Sequence, residues 1–217
     1  MLAARRWSLP WRAMRGSFVF GVLGGIASGK SAVARELAGP EGVVLDADRE
    51  AHEVLRRPEV LAALRAEHGA GIFGDDGALD RSALARIVFA DPAARARLED
   101  LTHPLVRANL RARLEAARAS GVPRIVLDVP LLLENDARHG LVAECDALVW
   151  VETDPSLRAA RAAATRGWST DEVARREAAQ WPAEAKRARA RHVVENDGTL
   201  DDLRRAVARV LAAEGLS

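Results

Sequence analysis

Eight residues, Gly24-Gly25-Ile26-Ala27-Ser28-Gly29-Lys30-Ser31, constrain this chain more than any other stretch. They fit G-x-x-x-x-G-K-[ST], with an apolar run from Phe18 to Leu23 before them and a helical pattern from Ser31 to Leu37 behind. Glycines let the backbone curl so that several N–H groups converge on phosphate oxygens, and the helix N-terminus adds the positive end of its dipole. Lys30 supplies a mobile charge for the β- and γ-phosphates, and the Ser31 hydroxyl can ligate Mg²⁺. The competing reading is a plain glycine-rich turn. Against it stands the lysine: of 32 basic residues only Lys30 and Lys186 are lysine. The motif implies a nucleoside-triphosphate site.

Four further short apolar runs read as strands. Gly42 to Leu45 closes at Asp46-Ala47-Asp48, Arg124 to Leu127 at Asp128, and His192 to Val194 near Asn196-Asp197-Gly198; Ala147 to Val151 is the other. Strands alternating with helices predict an α/β fold, a parallel five-stranded sheet with helices on both faces. Ligands of such sheets bind beyond the carboxyl ends of the strands, which is where these acidic residues fall. Asp46 or Asp48 could accept the proton of an acceptor hydroxyl or hold Mg²⁺ through water, or simply shape a turn. Asp128 could position a metal ion or cap the turn that follows it.

Residues 49–121 show no convincing strand and read as a helical, substrate-binding insertion. Asp80 and Asp91-Pro92 look like helix starts. From Pro104 onward, Val106, Leu110, Leu114 and Ala117 form the apolar stripe of an amphipathic helix that begins at His103-Pro104. Residues 154–190 read as a second inserted region, a lid. One helix starts at Asp154-Pro155, and Ser169 with Glu172 forms a capping box for another. Arg158, Arg161 and Arg166 cluster between them and suit phosphate oxygens, although a solvated arginine face is the plainer reading. A last helix from Thr199 places Leu200, Leu203, Val207 and Leu211 on one side. Cys145 reads as a small buried hydrophobe, and a single cysteine excludes an intramolecular disulfide.

The arginine-bearing stretch 1–17 has neither acid nor clean apolar period and reads as a disordered extension, or as sequence upstream of a start at Met14; its composition also fits an organelle transit peptide, although the stretch is short for one. The folded domain is then 18–217. A net charge of +1 gives no reason to expect nucleic-acid binding. No apolar run nears the roughly 20 residues that cross a bilayer, and 1–17 lacks the apolar core of a secretory signal, so the expectation is a cytoplasmic protein off the membrane. Oligomeric state is left open.

Taken in order, GVLGGIASGKS, LDADREAHEVL, LDRSALARIVF, LTHPLVR, LDVPLLLE, REAAQWPAEAK and VVENDG resemble dephospho-coenzyme A kinases over Phe18 to Val210. The resemblance implies a P-loop kinase fold with a helical coenzyme-A-binding domain and a lid. It implies ATP and Mg²⁺ as cofactors, and transfer of phosphate to the ribose 3′-hydroxyl of dephospho-coenzyme A, the last step of coenzyme A synthesis. Gly25 and Ala27-Ser28-Gly29-Lys30-Ser31-Ala32 then match the ATP loop, with Ser31 and Asp128 toward the metal. Asp48 matches the base and Arg161 the lid arginine. Arg81, His103, Asp128 and Glu134 match substrate-side positions, and Asn196 with Gly198 the loop near adenine.

The chain departs from that family at several places. Ala27 stands for a usual glycine, which requires negative φ at that residue, and Ala32 for a usual threonine. Thr165-Arg166-Gly167 replaces Arg-Asp-Gly, and Arg191-His192 replaces Ala-Asp. Two other readings remain: a P-loop kinase for a nucleoside monophosphate or another metabolite hydroxyl, and an ATP-binding regulatory protein without acceptor chemistry. A GTP switch would show N-K-x-D, whereas the only other lysine lies in Ala185-Lys186-Arg187.

Overall fold

The computed structural model describes residues 16–216; nearly all of the expected N-terminal extension, 1–15, lies outside them. These residues separate into two compact units. One comprises 16–45 with 114–216, and the other is Asp46–Arg113.

The first unit is built on a five-stranded sheet. Its strands are β1 (Phe18–Gly24), β2 (Val43–Asp46), β3 (Arg124–Asp128), β4 (Ala147–Glu152) and β5 (His192–Glu195), in the order β2-β3-β1-β4-β5. β1 pairs in parallel with β3 and β4, and β4 with β5. From Phe18 to Leu23 every residue of β1 is buried, as the central strand of a parallel sheet covered on both faces should be. Alternation divides it. Phe18, Phe20 and Val22 join a core with Val33, Ala34 and Leu37 of α1 (Lys30–Ala38) and Leu203, Ala206, Val207 and Val210 of α10 (Leu200–Ala213). Gly21 faces the other way, where a Cβ would come within 2.9 Å of Leu148, Cys145 and Leu132. Only glycine lets that layer close onto β1.

α10 corrects one expectation. Leu200 is half exposed, because the helix begins there and its buried stripe is Leu203, Ala206, Val207 and Val210 instead. A full capping box, which the sequence reading missed, starts it: Thr199 Oγ1 accepts from Asp202 N, and Asp202 accepts from Thr199 N. At Ser169 the predicted box is only half made. Ser169 Oγ accepts from Glu172 N, but the Glu172 carboxylate is taken by Arg175 and Arg176. The lid stretch holds three helices rather than the two expected: α7 (Pro155–Arg166), α8 (Thr170–Ala178) and α9 (Ala183–Arg187). A four-residue helix, α6 (Asp136–His139), precedes β4.

The second unit is helical: α2 (Ala47–Val54), α3 (Pro58–His68), α4 (Arg81–Ala90) and most of α5 (Pro92–Ala119). Asp46, Asp80 and Asp91 cap α2, α4 and α5 with their carboxylates. Val54, Val60, Leu64, Ile72, Leu84, Val106 and Leu110 form its interior. The predicted helix start at His103-Pro104 is wrong, because α5 begins at Pro92 and runs through Pro104. An interior proline costs about 3 kcal/mol through its lost N–H bond and ring clash. Burying Val106, Leu110 and Leu114 returns about 1.5–3 kcal/mol each, so packing overrides the local rule.

Candidate active site

β1 delivers the chain into the turn Gly24 to Gly29, and α1 leaves it. Gly29 caps α1 at φ +84°, a left-handed conformation that favours glycine. Ala27 is also left-handed, at φ +57°. This overturns the expectation of negative φ there: the turn keeps its shape and the alanine carries the strain.

The turn is fastened to the ends of β4 and β5. The Ser28 carbonyl accepts from Thr153 Oγ1 at 3.0 Å and from Asn196 Nδ2 at 2.8 Å. A Cβ at Gly29 would sit 2.2 Å from Asn196 Nδ2, so that close approach requires glycine. Arg161 of α7 donates from Nη2 to the Asn196 carbonyl at 2.9 Å, and its Nη1 points at the same place, 3.7 Å from that Cβ position.

Lys30 Nζ bonds the Gly24 and Gly25 carbonyls, at 3.1 and 2.9 Å. At that end of the turn Glu177 of α8 accepts from Ile26 N at 3.1 Å and pairs with Arg158 of α7.

A polyphosphate fits this geometry. Two buried polar atoms beside the turn, Ser28 Oγ and Arg161 Nη1, have no protein partner, and each is a donor. Removing donors from water without a partner is costly, so an anion that takes them up gains more than at a solvated surface. Mg²⁺ takes most of its ligands from phosphate and water and needs only one or two protein oxygens. Ser31, exposed on the first turn of α1, and Asp128 fit that need. The pairing of Gly21 with Leu127 places buried Asp128 level with Val22, one strand over from the start of the turn.

The first unit thus brings together Gly25, Ala27, Ser28, Gly29, Lys30, Ser31, Ala32, Arg161 and Asn196. Gly198 lies two residues beyond Asn196, with Asp202 Oδ2 2.6 Å from its Cβ position. The expected arginine cluster divides: Arg158 and Arg161 face the turn, whereas Arg166 lies over the Trp168 ring at 5.0 Å. Glu134 is engaged elsewhere, 3.2 Å from Lys186 Nζ and accepting from Trp181 N at 3.3 Å. Gln180 Oε1 also accepts from Lys186, at 2.9 Å. The sequence reading gave Lys186 no partner; its signal was the scarcity of lysine.

The second unit carries Asp48, Arg81 and His103. Asp48 is exposed on the first turn of α2, its N–H donating to Asp46 Oδ1 at 2.9 Å. Two residues on and facing inward, Glu50 is buried against Arg113 at 2.8 Å and Asn109 at 3.2 Å. That anchor, which the sequence did not show, fixes the roll of α2 with Asp48 outward. Arg81 heads α4 with Nη2 2.5 Å from His52 Nε2, and His103 is exposed on α5.

Known proteins place the chain. A family model described as dephospho-CoA kinase matches residues 18–202. A dephospho-CoA kinase of Geobacter sulfurreducens is 41% identical over 195 residues, covering 89% of this chain and 97% of that protein. One from Symbiobacterium thermophilum is 41% identical over 190 residues, 87% of this chain and 78% of its own length. The crystal structure of TT1252 from Thermus thermophilus superposes with a TM-score of 0.70 at 38% identity, covering 91% of this chain and 97% of that one. The dephospho-CoA kinase of Campylobacter jejuni, at 23% identity and TM-score 0.65, shares the fold. With a P-loop kinase sheet, a lysine-bearing turn and these relatives over most of its length, the chain belongs to the dephospho-CoA kinase family.

Proposed function

We propose that this chain transfers the γ-phosphoryl group of ATP to the ribose 3′-hydroxyl of dephospho-coenzyme A, giving coenzyme A and ADP, in the cytoplasm. The observation that carries the reading is the turn itself. Lys30 lies on it, and two donors without a protein partner, Ser28 Oγ by Gly24 and Arg161 Nη1 by Gly29, lie at its two ends, in a chain whose family is named for this reaction.

Phosphoryl transfer passes through a loose transition state, so positioning and charge neutralisation do most of the work. The turn's amides and Lys30 hold the triphosphate in line. Bound Mg²⁺, taken by Ser31 Oγ with Asp128 behind it, would draw charge from the β- and γ-oxygens. Asp48 orients the acceptor hydroxyl and takes its proton late. Arg161 neutralises the moving group from Nη1, and the α7–α9 segment keeps water from competing with the acceptor. Arg81, His103 and Glu134 serve the acceptor side, and Asn196 with Gly198 the donor base.

A coupled assay of ADP release tests this, with dephospho-coenzyme A beside a panel of nucleoside monophosphates. ADP should form only with ATP and dephospho-coenzyme A together. Faster release with a monophosphate would contradict the reading. Asp48→Asn should lower turnover by roughly 10²–10⁴, the range for a positioned base. A variant that kept its turnover but lost acceptor affinity would make Asp48 a binding residue.

A further inference from the structure

Two tryptophans of the α7–α9 region are treated differently. Trp168 has guanidinium groups over its ring, Arg176 at 4.1 Å and Arg166 at 5.0 Å. Trp181 is 42% exposed, and among the described residues its indole has neither a cation nor another ring against it. It stands on the rim of a cleft of about 230 Å³, lined also by Gly25, Arg158, Glu177, Gln180 and Lys186. An aromatic face left bare beside a phosphate-binding turn is a stacking platform in want of a ring.

The charges of the cleft say what kind of ring. Arg158 is paired with Glu177, and Lys186 with Glu134. Both cations are compensated, so the cleft suits an uncharged group rather than a phosphate. Gln180 spends its oxygen on Lys186, which leaves its Nε2–H₂ to donate. A flat heterocycle with ring-nitrogen acceptors satisfies both the indole and that amide.

The backbone that carries the platform is also anchored. The Trp181 backbone N–H donates to Glu134, and the buried Glu134–Lys186–Gln180 contacts tie the α8–α9 connection to the segment after β3. An anchored segment loses little backbone freedom on binding.

The turn has a direction. Amides at the α1 N-terminus cradle the α- and β-phosphates while the lysine reaches the β- and γ-phosphates. Asn196 meets Gly29, at the α1 end; Lys30 Nζ lies on Gly24 and Gly25, at the other. The γ-phosphate end is therefore the Gly25 end, where the cleft opens.

We infer that this cleft receives the adenine ring of the acceptor, stacked on Trp181 and read by Gln180, while the donor's adenine belongs at the Asn196 end. The inference rests on the activity proposed above, because it takes dephospho-coenzyme A as the acceptor. It makes Trp181 a specificity residue for a purine-bearing alcohol.

The test compares the full chain with Trp181→Phe and Trp181→Ala, after thermal melts confirm that both variants fold like the parent. Trp181→Ala should raise KM for dephospho-coenzyme A about tenfold or more, the alanine effect of losing one base stack, with KM for ATP within about twofold. Trp181→Phe, which keeps an aromatic face, should restore most of the loss. Dephospho-coenzyme A titrated without ATP should quench indole fluorescence in the parent, and the quench should shrink in both variants.

Normal turnover on dephospho-coenzyme A with an unchanged acceptor KM in Trp181→Ala would overturn this inference and leave the activity standing. A rise in KM for ATP alone would overturn it too, by giving the platform to the donor. A parent chain that neither binds nor phosphorylates dephospho-coenzyme A would remove the activity and this inference together.

Discussion

Ala27 holds φ +57° in the phosphate-binding turn, a conformation that costs an L-residue about 1–2 kcal/mol. Glycine there would remove the strain but add about 0.4–1 kcal/mol of unfolded-chain freedom. Ala27→Gly should therefore raise stability by roughly 0.5–1 kcal/mol, read as a higher urea midpoint at unchanged slope. A lower midpoint would mean that the turn is not left-handed at this position. Lys30 donates to the Gly24 and Gly25 carbonyls of the turn that holds the phosphates, so Lys30→Ala should lower turnover by about 10²–10³ while leaving the melt within a few degrees. Loss of folding in place of turnover would make Lys30 a structural residue. The identity of this motif was legible in the sequence because eight consecutive residues carry it. Its backbone angles were not: a usual glycine replaced by alanine reads equally well as relaxed or strained until the chain is traced. Lys186 and Glu50 were also hidden, since their partners lie 52 and 63 positions away, Glu134 and Arg113.

At the scale of elements, α10 depends on its first turn. Thr199→Ala removes one half of the capping box and should cost about 1 kcal/mol by urea denaturation. Asp202, the other half, has its carboxyl pKa held down chiefly by the Thr199 hydroxyl and also by the Thr199 N–H. Because its folded value lies below the ordinary 3.8, this contribution is complete above about pH 4 and is lost as the pH falls through the folded value. Thr199→Ala should accordingly flatten the acid end of the stability profile, and an unchanged acid limb would show that the hydroxyl does not hold the carboxylate.

α5 makes the complementary point. The Pro104 ring denies the helix one N–H bond, so Pro104→Ala should stabilise the chain by about 1–2 kcal/mol after the unfolded-state correction, measured as a rise in the urea midpoint. The strands were readable because β-branched runs bounded by glycine and aspartate signal themselves locally. The start of α5 at Asp91-Pro92 was legible, but a second start was read at His103-Pro104 because the rule against helix before proline is local, whereas the burial of Val106, Leu110 and Leu114 is not.

For the molecule as a whole, the sheet unit contains a reporter of its own integrity. Cys145 packs against Gly21 and donates to the Leu141 carbonyl at 3.4 Å. Burial, reinforced by the negative charges of Asp146, Asp136 and Glu144, pushes its thiol up to about 12. A folded value above the unfolded one means that this contribution is complete below about pH 9 and declines from there toward pH 12. The native chain should resist alkylation at pH 8, and label rapidly in denaturant; rapid labelling without denaturant would mean that the layer over Gly21 opens. Fold class and chemistry were legible together because a parallel sheet sends its strand ends, and the residues on them, to one edge. Which side chains engage one another there was not, since Arg158, Arg161 and Arg166 look alike in sequence yet end on three different partners.

Phosphoryl transfer to a sugar hydroxyl is most directly tested by the product. Incubated with ATP, Mg²⁺ and dephospho-coenzyme A, the chain should yield a species heavier by one phosphoryl group, with ³¹P NMR placing the new monoester on the ribose 3′-oxygen. ADP accumulating beside unmodified dephospho-coenzyme A, or phosphate at any other position, would contradict the account.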